Sequence, residues 1–296
     1  MVTMNGKTAL ITGANSGLGK ALALALAHEG WRVGLVARNA ERGAAAMAEI
    51  AAATGNQELH LFVADLVEQT EIHRLAAEVN AQFAQLHLLI NNAATAYPTR
   101  QLSSDGIECA LAVNHLAPFL LTHLLLERLK ASAPARIVTV GTRMNTALEF
   151  NDLQWERRRY RQQQAYGQSK LGNLHFTFEL ARRLDGSGVT ANCVFPGVFR
   201  SNLGGTDGAQ GWFWTLVAAV LGWALPTPEQ AALRVLFVAT HPLVGGISGT
   251  YFGNRKPLRA PAQALDVRAN RQLWRASEML TGILPLAPGP LRQLRP

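Results

Sequence analysis

Apolar runs of strand length alternate with helix-length segments along most of this chain, and no other feature limits its fold as strongly. Such a rhythm signals βαβ units, because parallel strands need a crossover connection and a helix usually supplies it. Strands are predicted over residues 8–12, 32–37, 58–63, 86–90, 136–140 and 189–194, with a short last one over 249–252. Helices are predicted over 18–29, 40–53, 70–83, 164–184 and 229–239. Residues 106–130 read as one long helix or two consecutive ones, with Pro118 as a kink. The expected fold is α/β, a doubly wound parallel sheet of about seven strands with helices on both faces. One domain over residues 1–284 is expected, followed by a proline-rich, unstructured tail over 285–296.

The 296 residues are 48% hydrophobic and 16% charged, which suffices for a large core and excludes global disorder. The net charge of +8 draws anionic partners. That charge is dispersed apart from Arg157, Arg158, Arg159 and Arg161, a run read as a solvated loop. No nucleic-acid partner is therefore expected, and a phosphate-bearing cofactor is a sufficient anion. Cys109 and Cys193 are the only cysteines and stand outside any CxxC or Cys/His pattern. Neither a disulfide framework nor a metal site is expected, in keeping with a cytoplasmic protein. No signal pattern precedes the first strand. The longest uncharged stretch is 208–228, and its apolar heart, 212–225, falls short of the ~20 residues that span a bilayer.

The strongest local signal is Thr12-Gly13-Ala14-Asn15-Ser16-Gly17-Leu18-Gly19, lying between the first strand and its helix. Glycines let the backbone turn tightly and approach a pyrophosphate, while the helix N-terminus offers free N–H groups and a positive dipole end. Lys20 follows Gly19, but the GxxxxGK[ST] spacing of a P-loop is missing. Dinucleotide binding on a Rossmann-type sheet is the expected use. At the end of the second strand a carboxylate would bond the ribose 2′-OH of NAD, whereas a cation accommodates the 2′-phosphate of NADP. The chain reads Ala37-Arg38-Asn39 there, with no acid, so NADP(H) is the expected cofactor. Tyr166 and Lys170 lie four apart on a predicted helix and share a face. A phenol titrates near ~10, and a nearby ammonium is expected to lower it toward useful proton transfer.

Further markers follow in order: Asp65-Leu66, Asn91-Asn92-Ala93-Ala94, Val113-Asn114-His115, Tyr166-x-x-x-Lys170, Pro196-Gly197-Val198, Tyr251-Phe252 and Leu273-Trp274. With the TGxxxGxG turn they make the chain resemble the short-chain dehydrogenase/reductases, in particular the retinol dehydrogenase-like group that includes relatives of light-dependent protochlorophyllide reductase. The resemblance runs from Lys7 to Gly282. It implies that Gly13, Asn15, Ser16, Gly17, Leu18, Gly19, Arg38, Asn39, Asp65, Leu66, Asn92 and Ala93 bind the cofactor's phosphates and adenosine. It implies that Pro196, Gly197, Val198 and Ser201 lie along the nicotinamide. Tyr166 would exchange a proton with the substrate oxygen, Lys170 would hold the nicotinamide ribose, and Asn114 would support a water relay behind Lys170. The family's paired serines after the fifth strand are replaced by Gly141 and Thr142, and Thr142 keeps a hydroxyl for orienting substrate.

Residues 203–228 fall where the family places its substrate lid, and Trp212, Phe213, Trp214 and Trp223 make it aromatic. This stretch covers a hydrophobic substrate, touches a membrane surface or a partner, or packs in the core. The leading expectation is interconversion of a carbonyl and an alcohol on a hydrophobic small molecule. Reduction of an activated C=C bond, a cofactor-binding protein with little turnover, and a membrane-surface or partner-binding module around 212–225 stay open, as does a homo-oligomer.

Overall fold

The computed structural model describes residues 6–143, 146–199 and 225–283. Its strands are β1 (Thr8–Thr12), β2 (Arg32–Ala37), β3 (Leu59–Val63), β4 (Leu88–Asn91), β5 (Ala135–Val140), β6 (Val189–Phe195), β7 (Tyr251–Gly253) and β8 (Lys256–Pro257). They form one sheet in the order β3-β2-β1-β4-β5-β6-β7-β8, parallel throughout except for the antiparallel β7/β8 pair. The eighth strand was not expected. It returns from β7 through Asn254 and Arg255, both in the left-handed region with φ of 49° and 63°, which is the geometry of a tight hairpin turn. An Asn-Arg pair is a weak signal for such a turn, since the second position usually calls for glycine.

Side-chain alternation splits the core into two layers. Leu10, Leu89 and Ile137 point to one face, where they meet helices α3 (Gln69–Gln82), α5 (Ala117–Ala131) and α6 (Gln162–Arg183). Their neighbours Ala9, Ile11, Leu88, Ile90 and Val138 point to the other, against α1 (Gly17–His28), α2 (Ala40–Thr54) and α7 (Pro228–Thr240). Both faces are buried, so the strands read as continuous apolar runs. Helix ends carry their own signals: Asn39 caps α2 by accepting from Arg42 N at 2.8 Å, and Thr227 with Gln230 forms a reciprocal cap on α7.

In place of a helix from residue 106, one continuous helical stretch runs over Cys109–Ala131, and its irregularity differs from the expected proline kink. A short α4 (Cys109–Leu111), started by the Glu108 carboxylate accepting from Ala110 N and Leu111 N, passes into a π turn at Ala112–Leu116 and then into α5. Pro118 falls in the first turn of α5, immediately after the wider turn, where its missing N–H is tolerated. The stretch Cys109–Ala131 is long and apolar enough to cross a membrane, but it is packed inside the fold.

Two helices near the C-terminus lay outside the sequence expectation: α8 (Ala262–Leu265) and α9 (Val267–Thr281). The second begins at Asp266, which accepts from Arg268 N, and ends at Gly282 with φ of 62°. Trp274 on α9 plugs into the core at 2% exposure, with Phe119 edge-on at 5.0 Å between ring centres. The arginine run is also more than a solvated loop. Arg158 lies over the Trp155 ring at 3.8 Å, pairs with Asp152 at 2.9 Å and donates to Gln168 on α6, whereas Arg157, Arg159 and Arg161 are exposed.

Candidate active site

The chain's connections change direction between β1 and β4, which opens a crevice beyond the carboxyl ends of the two strands. The crevice floor is cross-linked by Thr12 and Asn92. The Thr12 hydroxyl accepts from Asn92 N at 2.9 Å and Ala93 N at 3.0 Å, while Asn92 Nδ2 donates to the Thr12 carbonyl at 2.8 Å. Above that floor the chain turns through Gly13 and Gly17, at φ of 66° and 51°, a region L side chains rarely adopt. Gly19 is needed for another reason: a Cβ there would lie 2.1 Å from the Gly13 carbonyl oxygen. The first turn of α1 carries no acidic residue and its N-cap Ser16 makes no side-chain cap. Its N–H groups and positive dipole end are therefore available to an anion.

A cavity of about 860 Å³ runs from this turn to α6. It is lined by Gly13, Asn15, Ser16, Gly17, Leu18, Gly19, Arg38, Asp65, Leu66, Asn92, Ala93, Thr142, Tyr166, Lys170, Pro196, Gly197 and Val198. Two expected residues lie elsewhere. Asn39 is committed to capping α2. Asn114, fully buried in the π turn, bonds the Thr95 backbone in both directions, at 2.7 and 2.8 Å, and donates to Ser169 on α6 at 2.9 Å. Its side-chain amide is consumed in joining three segments behind the cavity, so only its backbone carbonyl could serve a water relay. Ser201 and residues 203–224 of the expected lid lie outside the described residues, as does the 285–296 tail.

At the opposite end of the cavity, the corner after β5 is assembled from several elements. Lys170 is buried and its ammonium donates to the Val140 carbonyl at 2.9 Å. The Tyr166 ring is one helical turn away, its centre 6.0 Å from Lys170 Nζ. The expected lowering of the Tyr166 phenol is not what this environment produces. Burial pushes Tyr166 up to about 12 and Lys170 down to about 8, Cys193 opposing the latter only in part. Desolvation is what raises the phenol, and the ammonium is engaged with the Val140 carbonyl. Tyr166 is thus held as a phenol, a proton donor, while Lys170 exchanges its proton within reach of neutral pH.

The serine replacement at position 141 also has a physical reason. A Cβ on Gly141 would lie 2.6 Å from Cys193 Sγ, a fully buried thiol directly behind it. Cys193 belongs to no disulfide or metal pattern in the sequence, so no local signal marks its place behind Gly141. Sequence reasoning likewise missed Arg234 on α7, which donates to the Pro196 carbonyl at 2.7 Å and packs against left-handed Gly197. At the far end, Arg38 is mostly exposed and stands 4.0 Å from the Asp65 carboxylate, with half-buried Tyr97 closing the same wall.

The residues present suit a dinucleotide: glycines where side chains would fill the turn, an uncapped helix end, and a mostly exposed cation, Arg38, immediately after β2. Among the described residues no group of three or more His, Cys, Asp or Glu side chains could hold a metal ion.

The profile of the short chain dehydrogenase family matches residues 7–210. Human retinol dehydrogenase 13 is 39% identical over 287 residues, covering 95% of this chain and 86% of that protein. Among solved structures, an uncharacterized protein from Mycobacterium paratuberculosis superposes with a TM-score of 0.76 at 32% identity, covering 96% of this chain and 97% of the other. A short-chain dehydrogenase from Burkholderia cenocepacia in complex with NADP has a TM-score of 0.66 at 28% identity, covering 85% of this chain and 97% of the other.

Proposed function

This chain belongs to the short-chain dehydrogenase family, in its retinol dehydrogenase-like group, and from that premise we propose that it interconverts a carbonyl and an alcohol on a hydrophobic small molecule, using NADP(H). The observation that carries the reading is that Tyr166, Lys170 and Thr142 line the same cavity as the glycine turn. The likeness to retinol dehydrogenases supports an oxidoreductase with a lipophilic alcohol or aldehyde as substrate.

Gly13, Asn15, Ser16, Gly17, Leu18 and Gly19 cradle the pyrophosphate at the α1 N-terminus. Arg38 takes the 2′-phosphate; its separation from Asp65 is long and solvent-screened, so the guanidinium remains available. Asp65 and Leu66 hold the adenine, Asn92 and Ala93 the adenosine ribose, and Pro196, Gly197, Val198 and Ser201 flank the nicotinamide. When bound, the dinucleotide supplies a hydride to the carbonyl carbon or takes one from the alcohol. Tyr166 gives its proton to the carbonyl oxygen as negative charge builds there, or receives it in reverse. Thr142 orients that oxygen by its hydroxyl, and Lys170 holds the nicotinamide ribose and restores the Tyr166 proton.

The test is NADPH consumption with a panel of lipophilic aldehydes and ketones, a retinal included. Turnover is expected with at least one of them, and reduction should slow as pH rises through about 8, where Lys170 loses its proton. No turnover of any carbonyl by a protein that binds NADPH would refute the reading.

A further inference from the structure

The Tyr251-Phe252 pair near the C-terminus takes no part in the chemistry above, yet Tyr251 reaches into it. Three consecutive residues, Val140, Gly141 and Thr142, carry the chain out of β5 and into the cavity wall. Each is tied from a different direction. Lys170 Nζ donates to the Val140 carbonyl at 2.9 Å, Gly141 N donates to the Val194 carbonyl at 2.8 Å, and the Tyr251 hydroxyl donates to the Thr142 carbonyl at 3.0 Å. The ladder between β5 and β6 ends at Val140 and Val194, so no strand pairing sets the direction of the Thr142 carbonyl.

Tyr251 makes this contact from β7, two strands away from β5, by reaching across its register partner Cys193 on β6. Position 141, which has no side chain, lies beside both partners of this register pair. A Cβ there would meet Cys193 Sγ at 2.6 Å and lie 3.8 Å from the Tyr251 ring. The ring is 4% exposed, and burial raises its phenol, which keeps the hydroxyl a donor at any working pH. Holding the Thr142 carbonyl restrains the peptide plane beyond it, and with the preceding chain held at Gly141 N and by the β5/β6 ladder this limits the direction of the Cα–Cβ bond. Threonine has a restricted χ1, so backbone direction decides where its hydroxyl points.

We propose that Tyr251 is a positioning residue that aims the Thr142 hydroxyl at the reacting oxygen through its bond to the Thr142 carbonyl. This rests on the proposed roles of Thr142 and Tyr166. Tyr251→Phe keeps the ring and deletes only the hydroxyl. It is expected to lower kcat/KM on the order of 10-fold, the effect of one lost neutral hydrogen bond. The loss should fall on kcat, with NADPH affinity by fluorescence titration unchanged. Combined with Thr142→Ala, the two losses should not multiply, because both remove the same hydroxyl from its place. A readout independent of turnover is deuterium uptake by the peptide over residues 139–143, which should quicken while Tm stays within a few degrees.

Wild-type kcat in Tyr251→Phe, multiplying losses in the double variant, or unchanged uptake would each overturn the proposal. Tyr166→Phe on the same substrate separates the two levels. If Tyr166→Phe is inactive and Tyr251→Phe is normal, only this inference fails; if Tyr166→Phe is active, the reading of the site fails and this inference with it.

Discussion

At the turn after β1, one uninterrupted stretch of chain makes nearly the whole structure, with backbone and glycine supplying the surface offered to a ligand. At the corner after β5, the surface is made by side chains from α6, β6 and β7 converging on Val140, Gly141 and Thr142. The first region leaves no room for a different solution, since an added atom at Gly19 collides with backbone. The second is a set of mutually adjusted side chains, in which a change at one position can be offset at another. The glycine at 141 illustrates this: beside Cys193 it is the residue that fits.

That contrast predicts a graded series of effects. Gly19→Ala should be the most damaging of the series, because the added atom meets the Gly13 carbonyl, backbone that cannot swing aside, as well as the Asn92 amide. Overpacking of this kind costs about 1–3 kcal/mol, and at the turn itself it should weaken NADPH by roughly 100-fold. Titration of NADPH fluorescence measures this, and near-normal affinity would mean that the turn is less constrained than its geometry implies.

Gly141→Ser should come next, lowering kcat/KM by roughly 30-fold as the new side chain presses on Cys193. Here the corner should yield to compensation: adding Cys193→Ala removes the colliding sulfur and should recover most of the activity. If the second substitution recovers nothing, the two positions are not adjusted to each other and the comparison loses its basis. Smallest is Arg38→Asp, at a mostly exposed side chain. It should weaken NADPH by about 10-fold and improve NADH, because a carboxylate repels the 2′-phosphate and bonds a free 2′-OH. An unchanged NADPH/NADH ratio in kinetics with both cofactors would assign the phosphate to another residue.

The same contrast explains what could be read from the sequence. The sheet was legible because strand burial on both faces writes continuous apolar runs, and the turn at 12–19 because its residues are neighbours in the chain. Tyr166 and Lys170 were legible as an i, i+4 pair, but their titration was not. Burial of the pair and the diversion of Lys170 to the Val140 carbonyl depend on how α6 packs against β5. Cys193 and Tyr251 lie far from position 142 in the chain, and their roles are set by strand order alone. At Asn39, which the resemblance implies as a cofactor contact, the side chain caps α2, a use that depends on where the helix starts. The helix α9 carried ordinary signals, an Asp N-cap and a glycine just past its end, and could have been found.

The central claim is that Tyr166 is the proton-transferring group at the end of a dinucleotide cavity. It is tested most directly by Tyr166→Phe, which keeps the ring packing and removes only the phenol proton. With a carbonyl substrate that the wild type reduces, kcat should fall by about 10²–10⁴-fold, while NADPH affinity, proposed to rest on the turn and Arg38, should stay within about twofold. Retention of more than about a tenth of wild-type kcat would contradict the account, because a general acid contributes more than that.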